Sequence, residues 1–279
     1  MKLRFLVALT ASLLLATSCA KVLNYDRTEG PLYFSSSKDL PPRTGDTLTI
    51  VTYNIELSSR IDKAITDLSG SEMTNQADLI MLQEMDYSGV AKIARALDYN
   101  FVYYPAVKRP ENKRDFGDAI LSKWPLKEPS KVILPNLKPV RDMQRIATFA
   151  TVTIGDRQLL CSSAHMEMFV MGRSRRIEQV DSLARCIPPD APYIVVAGDF
   201  NSFRHSTRMI YDSLMAGAGL FRGTTRPGWT AAFGLFGVFR FRLDHIYLKG
   251  FRVIDNGIVY GTEGSDHRPV WTKVVWNDL

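Results

Sequence analysis

Gly198-Asp199-Phe200-Asn201, Leu243-Asp244-His245-Ile246 and Ser265-Asp266-His267-Arg268-Pro269-Val270 are the stretches on which the reading of this chain turns. Each sets an acid, and the last two also a histidine, beside an apolar run of β type. Successive strand side chains point to opposite faces, so a polar group at the end of such a run is delivered to the edge of a sheet. Thr52-Tyr53-Asn54-Ile55 and Leu82-Gln83-Glu84 repeat the pattern upstream. The five runs together supply carboxylates, carboxamides and imidazoles at what read as strand ends.

Working outward, period-2 and period-3.6 patterns alternate along residues 47–279. Strands are predicted over 48–53, 78–82, 101–104, 117–122, 130–134, 145–154, 157–163, 193–197, 243–248, 251–259 and 269–275. Gly155-Asp156 reads as a hairpin turn between two of them. Helical stripes run through Ile61, Ala64, Ile65 and Leu68, through Val90, Ile93, Ala94 and Leu97, and over 172–186. Strands outnumber helices and several are hairpin-linked, so a sheet-on-sheet core with outer helices is the economical α/β architecture. There is no internal repeat, and 47–279 reads as one domain.

The 279 residues are 46% hydrophobic and 23% charged, ordinary for a globular protein. The net charge of +6 includes Lys2 and Arg4 near the N-terminus. The excess suits an anionic substrate or membrane surface, and the absence of a block of like charge excludes a dedicated nucleic-acid tail. Residues 1–18 read as a signal peptide: a basic start, then an apolar stretch from Phe5 to Ala16 too short for a comfortable membrane span. Leu15-Ala16-Thr17-Ser18-Cys19 resembles the lipobox of bacterial lipoproteins, with Ala16 where Leu is commonest. Cys19 would then be lipidated; ordinary secretory cleavage is the alternative. Residues 20–46 are polar and turn-rich and read as a flexible tether behind Cys19, reaching roughly 90 Å at about 3.3–3.6 Å per residue. Cys161 and Cys186 read as small buried hydrophobes, with a disulfide as the alternative that an exported context permits.

Cleaving a phosphoester requires neutralised phosphoryl oxygens, an activated water and help for the leaving oxygen. A hard divalent cation takes carboxylate oxygens. Glu84 follows a buried run, where an unpaired carboxylate is costly, and Asn54 holds the equivalent place after the first strand. Asp199 and Asn201 are two apart, the spacing that puts both on one face of a strand. Asp266-His267 offers an acid and a base from one turn, and Asp244 is a candidate to orient an imidazole. Each run alone reads equally well as a turn or a cap; the conjunction in one chain carries the reading. Three of the four histidines, His165, His245 and His267, fall in such runs, and His205 reads as an exposed helix residue.

On Tyr53-Asn54, Gln83-Glu84, Gly117-Asp118-Ala119-Ile120-Leu121-Ser122, Arg145, Ser163-Ala164-His165 and the three opening runs, in this order, residues 47–279 resemble the endonuclease/exonuclease/phosphatase superfamily. Its members include DNase I-like nucleases, neutral sphingomyelinases, inositol polyphosphate phosphatases and abasic-site endonucleases. The resemblance implies a DNase I-like four-layer sandwich: two packed, mostly antiparallel sheets flanked by helices, with the site at one rim. It implies Mg²⁺ or Mn²⁺ held by Glu84 with Asn54 and Asp266. It implies that Asp199 orients or deprotonates water and that Asn201 positions phosphate and nucleophile. His267, partnered by Asp244, would stabilise the transition state or protonate the leaving oxygen, and His165 would donate to a phosphate oxygen. Arg145 would bind substrate phosphate or be a strand-surface charge. His165 stands where abasic-site endonucleases carry tyrosine, which disfavours that branch. Gly117-Asp118 carries an acid where Asn is frequent, which puts a substrate contact there in doubt.

Trp229 to Phe241 is apolar, aromatic and interrupted by glycine, and should flank the cleft because it leads into Leu243-Asp244. It reads as a lipid-contacting loop or as one more packed loop or strand. The leading reading is a monomeric, metal-dependent phosphoesterase anchored to a bacterial envelope membrane. Its substrate would be a phospholipid, a small phosphoester or nucleic acid. An extracytoplasmic nuclease and a catalytically inactive binding module of the same fold are the alternatives.

Overall fold

A computed structural model describes residues 22–35, 46–139 and 141–277. The stretch read as a signal peptide, Cys19 and residues 36–45 lie outside the described residues. In chain order the strands are β1 (Leu23–Asn24), β2 (Tyr33–Ser35), β3 (Thr47–Asn54), β4 (Leu79–Met85), β5 (Asn100–Lys108), β6 (Asp115–Ser122), β7 (Leu126–Leu134) and β8 (Arg145–Ile154). They continue as β9 (Arg157–His165), β10 (Tyr193–Asp199), β11 (Phe221–Arg222), β12 (Ala231–Phe233), β13 (Phe239–Phe241), β14 (Asp244–Lys249), β15 (Phe251–Ile258) and β16 (Val270–Trp276). The helices are α1 (Ile61–Gly70), α2 (Tyr87–Leu97), α3 (Arg173–Arg185) and α4 (His205–Gly217).

One sheet runs β1-β5-β6-β4-β3-β16-β15 with β2 also on β5, and the other runs β11-β14-β10-β9-β8-β7. Their facing sides make the central core, with Leu48, Ile50 and Met81 against Ala150, Val195 and Ile246. The alternate residues of β3, Val51 and Tyr53, face outward and pack with Leu68 of α1 and Ile93 of α2. On the other flank Ile194 and Val196 pack with Val180 and Leu183 of α3 and Tyr211 of α4. The result is helix, sheet, sheet, helix, a DNase I-like α/β sandwich whose ladders are mostly antiparallel.

Two parallel pairs set the position of the site. β3 pairs with β4, and β9 with β10 in a register that sets Asp199 beside His165. β10 also pairs antiparallel with β14, setting Asp199 beside Asp244. Val270 opposite Thr52 puts the residues before β16 at the same edge. Gly198 is required by this closeness, because a Cβ there would lie 1.8 Å from the Ala164 carbonyl oxygen.

The segment read as a tether differs over its described part. β1 and β2 pair with β5 on the side away from β6. Asn24 Nδ2 donates to the Asp142 carbonyl at 2.8 Å, and Lys131 Nζ donates to the carbonyls of Tyr25 and Gly30 at 2.9 and 3.0 Å. Tyr33 stacks on Tyr87 at 4.6 Å. Turn-rich composition describes how this segment bends, but the bonds that hold it come from residues about a hundred positions away. Cys161 is buried as read, whereas Cys186 is exposed at the end of α3, and both thiols are free.

Candidate active site

Asp199 is the hub. It ends β10 and is 2% exposed. Its Oδ1 accepts the Asn201 backbone N–H at 2.9 Å, and its Oδ2 accepts Asn54 Nδ2 at 3.1 Å and Asn201 Nδ2 at 3.3 Å. His165 Nε2 lies 3.5 Å and His267 Nε2 3.7 Å from the same oxygen. Burial pushes this carboxyl up to about 7, with the negative charges of Asp244 and Glu84 adding to the rise and His267 opposing it. Asn201 faces the hub by a different route from the strand alternation expected. It has left the strand and holds φ at +47°, and its Nδ2 also bonds the Met166 carbonyl at 2.9 Å.

His267 and Asp244 form a buried pair. Nδ1 lies 2.9 Å from Asp244 Oδ2. Burial alone would lower the imidazole, but Asp244 and then Asp199 outweigh it and raise it to about 10. His267 therefore stands as an imidazolium between two carboxylates. These three residues lie close enough to resemble a metal cluster. Both ring nitrogens already face carboxylates, so the trio reads as an ion-paired cluster.

His165 is equally buried and differs in charge. Arg145 Nη1 lies 3.2 Å from its Nδ1. A guanidinium only donates, so Nδ1 is the acceptor and the proton sits on Nε2. The contact between that nitrogen and Asn201 Nδ2 then joins two donors, and Nε2–H is free to serve Asp199 or a substrate oxygen. Burial first, then the Arg145 charge, hold His165 well below its ordinary value. Arg145 is 3% exposed rather than a strand-surface charge. It is not an open phosphate clamp either, because Nε and Nη2 are bonded to Glu167 at 2.9 and 3.2 Å. Its Nη1 faces His165, and the residue lines the cleft.

A model of the endonuclease/exonuclease/phosphatase family matches residues 51–267. The chain belongs to that family. Among curated proteins, no sequence match was found. Solved structures share the fold at low identity. A family protein from Leptotrichia buccalis has a TM-score of 0.66 at 17% identity, over 82% of this chain and 100% of that one. D. rerio TDP2 complexed with single strand DNA product has 0.63 at 19%, over 82% and 99%. A Bacteroides thetaiotaomicron mannosyl-6-phosphatase has 0.59 at 17%, over 82% and 100%. Family membership makes the chain a phosphoesterase in general terms, and the family typically depends on a divalent metal.

The metal side of this family site is all oxygen. Glu84 lies at a bulge of β4 with φ +60°, which turns its side chain into the cleft. Its Oε2 accepts Leu57 N–H at 3.1 Å. Asp266 is pushed up by burial, and Glu56 and Glu84 push it further. His267 opposes the rise only in part, and the repulsion that remains among hard oxygen donors is what a divalent cation removes, so the residues fit one. Asn54 spends one lone pair of its oxygen on the backbone. Oδ1 accepts Glu56 N–H at 3.1 Å, so Nδ2 must face Glu84 and Asp199. Asn54 ties the two carboxylates together, leaving Glu84 and Asp266 as the candidate ligands. Beneath them Asp118 is fully buried, with Oδ1 unpartnered, and burial drives it toward the neutral acid.

Sequence reasoning assigned no role to Glu167 or Gln83. Glu167 lies two residues past His165, a usable signal because it falls in the same run. Gln83 bridges the sheets, accepting from Thr52 Oγ1 at 3.2 Å and donating to Ser163 Oγ at 3.0 Å. His245 faces away from Asp244, with Nε2 2.8 Å from Ser202 Oγ in the core, and His205 is exposed at the start of α4.

The groups surround a cleft of about 440 Å³ whose wall adds Arg109, Lys138 and Arg141. Residues 229–241 flank it as expected. They form the hairpin β12–β13, with Ala231 bridged to His267 and the Phe233 ring 5.9 Å from the imidazole.

Proposed function

We propose that this chain is an exported, lipid-anchored phosphoesterase that uses Mg²⁺ or Mn²⁺ and cleaves P–O bonds by direct attack of water. The observation that supports it best is the convergence of two buried histidines of opposite charge state on Asp199, whose carboxyl is raised to about 7. A carboxylate poised near neutrality suits the orienting and deprotonation of water. Asn201 and Asn54 hold that carboxylate in place. His165 Nε2–H donates to one phosphoryl oxygen. The His267 imidazolium, kept charged by Asp244, stabilises developing negative charge or protonates the leaving oxygen. Glu84 and Asp266 hold the cation. When bound, the cation neutralises phosphoryl charge and polarises the P–O bond.

Hydrolysis of a small phosphomonoester and nicking of plasmid should be measured with Mg²⁺ and Mn²⁺, against an identically prepared Asp199→Ala variant. Metal-dependent turnover that disappears in the variant is expected. A folded wild-type protein with no turnover in either assay, nor on phospholipid vesicles, overturns the reading and favours a binding module. A nuclease is the second reading. Its support is the basic wall of Arg109, Lys138 and Arg141, two of whose three charges are shared with Glu111, and nicking without phosphomonoester turnover would select it.

A further inference from the structure

Val22 lines the catalytic cleft, and three peptide steps separate it from Cys19. Three residues reach at most about 11 Å. From Val22 onward the chain is clamped: Val22 N–H bonds the Arg141 carbonyl at 3.3 Å, Asn24 bonds Asp142, and Gln144 N–H bonds Asn24 Oδ1 at 3.2 Å. A lipid on Cys19 is therefore held at the cleft wall and not at the end of a long leash.

Exposed apolar side chains occur on the same segments that line the cleft. Leu23, beside Val22, is 61% exposed, and Leu57 lines the cleft and is 38% exposed. Phe169, beside the lining Met168, is 59% exposed. The hairpin that carries the lining Phe233 holds out Leu235 at 77%, with Val238 and Phe239. Scattered exposed apolar residues are ordinary, but residues gathered around one opening mark an interaction surface. Cations are interleaved with them. Lys138 lines the opening with Arg109 and Arg141, which share Glu111, and Arg240 and Arg268 lie over Trp229 at the foot of the hairpin. Apolar side chains among arginine and lysine are what an anionic bilayer surface binds.

We propose that the cleft opens onto the bilayer that holds the lipid anchor. The β12–β13 tip and Leu23 then sit in the interface, and the substrate is a phosphoester presented at that membrane. This orientation rests on the lipoprotein reading of Cys19.

The test uses the full-length lipidated protein in vesicles of phosphatidylethanolamine and phosphatidylglycerol, in a Cys186→Ser background. A polarity-sensitive fluorophore is placed by Leu235→Cys, Leu23→Cys or Asp156→Cys. Asp156 lies at the β8–β9 turn, a ten-residue strand away from the cleft, or about 34 Å at 3.4 Å per residue. Blue-shifted emission and several-fold stronger quenching by a lipid-borne quencher are expected at positions 23 and 235, with neither at 156. Equal aqueous signals at all three positions, with a diacylated Cys19 by mass spectrometry, overturn the orientation and leave the lipoprotein reading standing. An unmodified Cys19 overturns the lipoprotein reading and the orientation with it. A blue shift at 235 without vesicles, together with a two-chain mass by light scattering, means that a second copy covers the hairpin and also overturns it.

Discussion

The two sides of the cleft treat the same residue type in opposite ways. His165 and His267 are 2% and 4% exposed, and both point Nε2 at Asp199 Oδ2. On the β8–β9 side Arg145 faces Nδ1, and the ring stays neutral with its proton on Nε2. On the β14 side Asp244 faces Nδ1, and the ring stays charged. Burial disfavours charge at both sites, so the difference comes from the partner behind each ring. One cleft thereby acquires a neutral donor and a charged one without a change of residue.

Asp199 stands between the two sides, and its loss should have the largest effect. Asp199→Asn is expected to lower kcat/KM by about 10²–10⁴-fold while circular dichroism is unchanged, as for removal of a general base. Activity within tenfold of wild type would reassign the base.

Removing the partner behind each ring should separate the two sides. Asp244→Ala strands a buried imidazolium, and Arg145→Met strands Glu167; each should cost about 3–5 kcal/mol in denaturant unfolding. Arg145→Met with Glu167→Met should recover most of that stability and still not restore activity, because nothing then sets the His165 tautomer. ¹⁵N NMR of His165 reads that tautomer directly. Full activity in the double variant would make the pair purely structural.

The pH dependence of stability should show both groups raised above their ordinary values. A group whose folded pKa is raised contributes stability below its unfolded pKa and loses it as pH rises through the folded one. For Asp199 the loss runs from its ordinary value of 3.8 up to about 7, and for His267 from its ordinary value of 6.5 up to about 10. Tm should therefore decline across both windows. Asp244→Asn should flatten the upper window most, and narrow the lower one because the Asp244 charge also raises Asp199, measured by calorimetry. The smallest effect belongs to the fourth histidine: His205→Ala, exposed at the start of α4, should change stability by no more than about 0.5 kcal/mol and leave turnover alone.

The sequence by itself determined the sandwich and most of the cleft's chemical inventory. Strand 145–154 was legible to the residue as β8, and the stripe over 172–186 became α3 at Arg173–Arg185, because period-2 and period-3.6 patterns are local. The runs ending at Glu84, Asp199 and His267 were legible for the same reason. α4 went undelineated beyond His205, and β1 and β2 were read as tether, because β1 and β2 are held by distant bonds rather than by their own pattern. Only the tertiary structure decided that Asn54 turns its nitrogen toward Glu84 and Asp199, that Asn201 reaches Asp199 through a left-handed turn, and that Arg145 is bonded to Glu167 behind His165. It also decided the charge of each histidine. His165 and His267 look alike in sequence. What separates them is a guanidinium 20 residues before one and a carboxylate 23 residues before the other, brought behind the rings by sheet register. Electrostatic environment depends on which groups share a low-dielectric interior, and that is a property of the packed sheets.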